Sequence, residues 1–165
     1  RAALLKLGQA DNADGRSFGW AAVALADGNL DTVWIEASAS PLSLQSLLGG
    51  IHLLPDAALR ATAYERVMPL LARPLTEFQG PDQIVAATQR DAIRSAVSTR
   101  REPAAVFAAL TALIERGQQV TTAAQGIRAL PRTAWSAGST AAARALSPSA
   151  PDGSPAASSS PERAQ

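Results

Sequence analysis

A chain of 165 residues has room for one ordinary domain with a buried core. Hydrophobic residues make up 47% but aromatics only 4%, so alanine, the strongest helix former, carries much of the apolar content. A formal net charge of +1, with scattered arginines and Lys6 as the single lysine, argues against nucleic acid as the main partner, and the lack of cysteine excludes disulfides, thiolate metal sites, a cysteine nucleophile and c-type haem attachment within this chain.

In chain order, the spacing predicts helix after helix. Over 17–27, Phe18, Ala21, Ala22 and Leu25 share one helical face, and Gly28-Asn29 stops it. A short helix over 30–37 carries Val33 and Trp34. Ser40 before Pro41 is a helix start, and that helix runs to about Leu54, before Pro55. Asp56 can cap the next, with Leu59, Ala63, Val67 and Leu70 inward and a kink at Pro69. After Gly80-Pro81, Asp82 can cap a helix that turns Val85, Ile93 and Val97 inward. Pro103 opens another, with Val106, Leu110, Leu113 and Ile114 on one face, ended by Gly117. A helix over 120–130 follows, then Pro131, then a last helix through Trp135 to about Leu146. Strand alternation is missing, so the expected fold is all-α, with about eight helices over 1–146. Residues 147–165, "SPSAPDGSPAASSSPERAQ", carry only small apolar side chains and are expected to be disordered. No apolar run reaches 18 residues, so no membrane span is expected. The chain starts at Arg1 without methionine or a signal-like stretch, which suits a fragment or a processed form.

Two segments repeat. "GIHLLPDAAL" at 50–59 and "GIRALPRTAW" at 126–135 match at Gly50/Gly126, Ile51/Ile127, Leu54/Leu130, Pro55/Pro131 and Ala58/Ala134, an offset of 126 − 50 = 76 positions. Half of that is near the roughly 40-residue period of HEAT-type helical pairs. Each proline then marks the turn between paired helices, and the pairs are expected to stack into an α-solenoid. Trp135, just past such a turn, should lie buried between the last two pairs, covering Ile127 and Leu130, with its N–H seeking a carbonyl or water.

Chemistry-bearing patterns are few. "GRSFG", Gly15 to Gly19, fits the G-x-S-x-G elbow of serine hydrolases, with Asp27, Asp31 or Glu36 and then His52 in the order Ser, acid, His. The elbow needs a strand before it, whereas "GQADNAD" reads as a loop, and the three members fall too close together for the sheet that must hold them. A helix cap is the plainer role for Ser17. "DNADG" at 11–15 lacks the ligand alternation and terminal glutamate of a calcium loop. His52 has only carboxylates for metal partners and suits a structural or solvent-facing place. Arg94, Arg100 and Arg101, around the break before Pro103, can contact an anion or complement a helix end. No catalytic, cofactor-binding or metal-ligating residue is therefore assigned.

"LPDAALRATAYERVMPLL" (54–71), "AAVFAALTALIERG" (104–117) and "AAQGIRALPRTAW" (123–135) together resemble the HEAT-repeat region of planctomycete- and verrucomicrobia-type haem-binding c-type cytochrome proteins. That family's phrase I-R-x-I-P-R-x-x-W-P is matched by Ile127, Arg128, Leu130, Pro131, Arg132 and Trp135, with Ser136 in place of the last proline. The resemblance implies a non-catalytic scaffold in a larger extracytoplasmic, periplasmic-type redox protein. The haem would lie in another part of that protein, since the family's C-x-x-C-H has no counterpart here. The implied partner is a protein or an adjacent domain of the same polypeptide. A free-standing interaction solenoid is the alternative, and a small serine hydrolase using Ser17 the third reading.

Overall fold

The computed structural model describes residues 1–146, with side chains described through residue 139. The expected disorder of 147–165 lies outside the described residues. Ten α-helices and one short 3-10 turn account for the described chain, with no strand among those residues. They are α1 (Ala2–Leu7), α2 (Ala13–Asp27), α3 (Asp31–Ala37), α4 (Pro41–Ile51), α5 (Ala57–Thr62), α6 (Tyr64–Ala72), α7 (Asp82–Thr99), α8 (Pro103–Glu115), α9 (Val120–Ala129) and α10 (Arg132–Leu146). Two more helices form than the periodicity predicts. Helix α1 is too short to show a period, and the stretch 57–72 divides at Ala63.

Local chemistry sets most boundaries. Asn12 Oδ1 accepts from Gly15 N at 2.6 Å and starts α2, which Gly28 ends in the left-handed region (φ 66°). Ser17 therefore sits inside α2 and does not cap it. Ser40 Oγ accepts from Ser43 N at 3.1 Å, with Pro41 at the first turn of α4. Asp56 Oδ1 takes Ala58 N and Leu59 N at 2.8 and 3.2 Å and starts α5. Helix α7 differs from expectation: Pro81 holds the cap position, and Asp82 lies in the first turn, where a carboxylate complements the dipole.

Helix α1 lies on α2, α2 on α4, α4 on α7 and α7 on α9, while α6 lies on α8 and α8 on α10. Helix α3 also contacts α4, α6 contacts α7 and α8 contacts α9. One contiguous apolar core runs from Trp20 to Leu130, with Leu47, Leu48, Ile51, Leu71 and Leu110 wholly buried. Each such side chain contributes about 1.5–3 kcal/mol of transfer free energy. Of the inward residues expected over 56–72 and on α8, Leu59, Ala63, Val67, Leu70, Val106, Leu110 and Leu113 are buried, and Ile114 is half-buried against the core.

Helix α2 keeps only the middle of the expected stripe inward: Ala21 is buried and Ala22 half-buried. Phe18 and Leu25 are 56% and 50% exposed, while Trp20, Val23 and Ala24 face the core. The helix is held between α1 and α4, so its contact positions must be small. A Cβ on Gly19 would strike the Gly8 backbone, and one on Gly50 of α4 would strike the Ser17 carbonyl.

The repeated segments share a leucine bond and a proline but not helix bounds: α4 ends at Ile51 and α5 begins at Ala57, while α9 runs to Ala129 and α10 begins at Arg132. In both, the leucine N–H turns back to the isoleucine carbonyl, Leu54 to Ile51 at 3.2 Å and Leu130 to Ile127 at 3.1 Å, and a proline and a new helix follow. Both leucines are buried. The intervening corner, at Pro103, does not fall midway between Pro55 and Pro131, because the loop 73–81 and the 18-residue α7 lengthen the central unit.

Candidate functional site

The candidate site is a groove along α7 and α9. Two cavities of about 530 and 380 Å³ adjoin there, sharing Val97 and Ala129. Val106 and Leu130 add to its apolar floor at one end, and Ile93 at the other. Its ends are cationic. His52 and Arg94 line one, Arg100 and Arg101 the other. His52 therefore joins Arg94, Arg100 and Arg101, which the sequence grouped around the break before Pro103, on one surface.

The Arg100–Arg101 end is built by a tight corner. Arg100 (φ 54°) and Glu102 (φ 41°) are both in the left-handed region, and Pro103 at the start of α8 follows at once. Such conformations persist only where the surroundings impose them. Arg101 is aimed across the ring of Tyr64, 5.6 Å from its centroid. Neither Arg100 nor Arg101 forms an ion pair with a carboxylate among the described residues.

At the other end, His52 follows the last residue of α4. Its imidazole is held below its ordinary pKa, first by partial burial and then by the Arg94 charge, with Asp91 acting in opposition. Asp91 is only 3% exposed. Its carboxylate accepts from Gln45 Nε2 at 2.6 Å and from Arg90 Nε and Arg94 Nη1 at 3.2 and 3.4 Å. Asp91 thus holds the guanidinium of Arg94 in an ion pair at this end of the groove. The sequence reading passed over Asp91, although Thr88, Asp91 and Ser95 put polar side chains at core spacing on α7, and all three are buried.

The hydrolase constellation is not assembled. Ser17 lies within α2 opposite Gly49, where an added Cβ would come within 2.7 Å of its Oγ. Asp27 and Glu36 each bind Arg1 at 2.9 Å, and Asp31 binds Arg66 at 2.6 Å. Arg1 holds the Asp27 carboxyl below its ordinary pKa by hydrogen bonding. The charged groups acting on His52 are Arg94 and Asp91, not these acids. In "DNADG", Asn12 serves as the helix cap, and no group of three metal-capable side chains occurs among the described residues.

Trp135 is half-buried beyond the groove. Its ring lies 6.3 Å from that of Phe107 on α8, and Arg132 sits 5.3 Å over it. These neighbours stand where Ile127 and Leu130 were expected, because α10 packs chiefly on α8. The indole N–H is buried and has no hydrogen-bond partner among the described residues.

Fold and site together define an all-α protein with an apolar groove that carries basic side chains at both ends, those at the Arg100–Arg101 end without a carboxylate partner among the described residues. No helix among the described residues is long and apolar enough to cross a membrane. Comparison with known proteins returned no matching family model, no matching curated protein and no matching solved structure.

Proposed function

We propose that this chain is a non-catalytic helical-repeat scaffold whose groove binds an extended, acidic segment of a partner protein or of an adjacent domain of the same polypeptide. The observation that carries this is the groove itself: an apolar floor of Val97, Ala129, Val106 and Leu130 ending in Arg100 and Arg101, which have no carboxylate partner among the described residues. Arg94 lies in the last turns of α7, and Arg100 stands just past its end as the left-handed C-cap. An extended chain advances about 3.3 Å per residue, so acidic side chains a few positions apart can address the two ends of the groove. Guanidinium groups suit carboxylates because they donate paired hydrogen bonds in a planar fork.

The order of packing supports a HEAT-like array, since α2 packs on α4, α4 on α7 and α7 on α9, while α6 packs on α8 and α8 on α10. The recurrence of the leucine-to-isoleucine bond before Pro55 and Pro131 supports it too. The proposed setting, an extracytoplasmic haem protein, is supported by the resemblance of Ile127 to Trp135 to that family's phrase. A coding sequence that continues into C-x-x-C-H would bear it out, and an uninterrupted parent frame without that motif would remove it.

The binding role is tested with a labelled peptide carrying Asp-Leu-Leu-Asp, read by fluorescence anisotropy against its Asn-Leu-Leu-Asn counterpart. The acidic peptide should bind more tightly and weaken with salt. Arg100→Gln with Arg101→Gln should lower affinity at least tenfold with helicity unchanged. Equal binding of the two peptides would refute the reading.

A further inference from the structure

A second cleft, of about 580 Å³, lies at the opposite end of α7 from Arg100, between the loop 73–81 and the turn 117–119. Leu75, Phe78 and Val85 give it apolar walls, and Gln89, Gln118 and Gln119 give it amides. Gln89 is fully buried, at 0% exposure. Its Nε2 donates to Gln118 Oε1 over 3.3 Å, while its Oε1 is buried and accepts no hydrogen bond from any described residue. Buried amide oxygens are almost always paired, so this one marks a place for a donor. The turn that brings Gln118 to it is itself held: Gln119 (φ 47°) donates from Nε2 to the Ala86 carbonyl at 2.9 Å.

We infer that this cleft binds the main-chain N–H and C=O of one residue in an extended apolar peptide segment. The peptide N–H donates to Gln89 Oε1. Its carbonyl accepts from Gln118 Nε2, the donor half of the same side-chain amide that already receives Gln89. The flanking apolar side chain packs on Leu75, Phe78 and Val85. The size falls within the range of ordinary ligand pockets. Asp82 is the one charged residue lining the cleft, so it does not suit an anion, which separates it from the arginine-ended groove. The inference goes beyond the groove reading and does not depend on it.

The test uses the full chain, isotopically labelled, with N-acetyl-leucine N′-methylamide as the probe and its ester analogue, both N–H groups replaced by oxygen, as the control. Side-chain amide NMR signals of Gln89 and Gln118 should shift and saturate with the amide. Binding should be about tenfold weaker for the ester, the effect of one desolvated hydrogen bond. Gln89→Met, which keeps length and bulk without the amide, should weaken binding to the same degree without lowering the melting temperature. If that variant does not fold, Gln118→Met, altered in the turn, is read instead. Arg100→Gln should leave the shifts unchanged. No saturable shift, equal affinity for amide and ester, or undiminished binding by the folded methionine variant would overturn the inference.

Discussion

Gln45 on α4 donates a 2.6 Å hydrogen bond to the buried carboxylate of Asp91 on α7, a polar contact set inside the main helix seam of the fold. Beside it, Ser95 Oγ donates to the Leu48 carbonyl at 2.7 Å, so α4 and α7 are keyed at two successive turns. Apolar packing alone would permit sliding along the seam, whereas these pairs are satisfied in one register.

Asp91→Ala should therefore destabilise the chain by about 1–3 kcal/mol, because it leaves the buried Gln45 amide without its acceptor. Replacing both partners, as in Gln45→Met with Asp91→Leu, should recover most of that loss, since no polar group is then stranded. Urea titration measures both. A single variant indistinguishable from the parent would show that the pair does not hold the register.

The paired glycines of the repeated segment should respond in opposite ways. At Gly50 an added Cβ would meet the Ser17 carbonyl oxygen of α2, a backbone atom that cannot step aside. At Gly126 it would meet the end of Leu110 at 2.8 Å, a side chain that can rotate. Glycine to alanine inside a helix gains up to about 1 kcal/mol in propensity. Overpacking against fixed backbone costs about 1–3 kcal/mol. Gly50→Ala should thus lower the thermal midpoint, while Gly126→Ala should leave it level or raise it. A fall of equal size in both would mean that the two corners are packed alike.

Much of the helical layout was legible in the sequence because proline, glycine and cap residues act locally. Ser40-Pro41, Asp56, Pro103 and Gly117 all mark the boundaries that they mark in the structure. Which face of α2 is buried was not legible. Phe18, Ala21, Ala22 and Leu25 form an apolar stripe, but only Ala21 is buried; the inner face is set by the close approach of α1 and α4 at Gly19 and Gly50. The groove was legible only in pieces. Arg94, Arg100 and Arg101 stood out as a possible anion contact, yet His52 joins them only because α4 packs on α7. Trp135 was placed near a corner correctly, but its ring neighbours come from α8, and no local signal names that partner.

The strained corner beside the groove gives a third expectation. Glu102 has φ 41° and stands directly before Pro103, a position that favours extended backbone. Left-handed geometry at a non-glycine residue costs of order 1 kcal/mol, and glycine relieves it. Glu102→Gly should raise stability by up to about 1 kcal/mol and leave acidic-peptide binding within a few-fold of the parent, since Arg100 and Arg101 are still presented. Chemical denaturation and peptide anisotropy read the two effects. A loss of stability would show that the glutamate side chain contributes more than its backbone costs.

His52 links the groove to pH. Its folded-state pKa lies below the ordinary value, through partial burial and the Arg94 charge, against the opposing pull of Asp91. The unfolded chain therefore takes up the proton first, near pH 6.5. Stability is full above that pH, falls as pH drops towards the folded-state pKa, and levels off below it, where both states are protonated. His52→Gln should abolish this slope. An acidic peptide in the groove should act in the other direction, since its carboxylate favours the imidazolium beside Arg94. Peptide affinity should then rise as pH falls through the same window, and bound peptide should raise the His52 pKa. His52 is the single histidine, so its ring signals in an NMR pH titration need no assignment. A free-state pKa at or above the ordinary value would contradict the electrostatic account, and a pKa unmoved by saturating peptide would place the peptide elsewhere than in this groove.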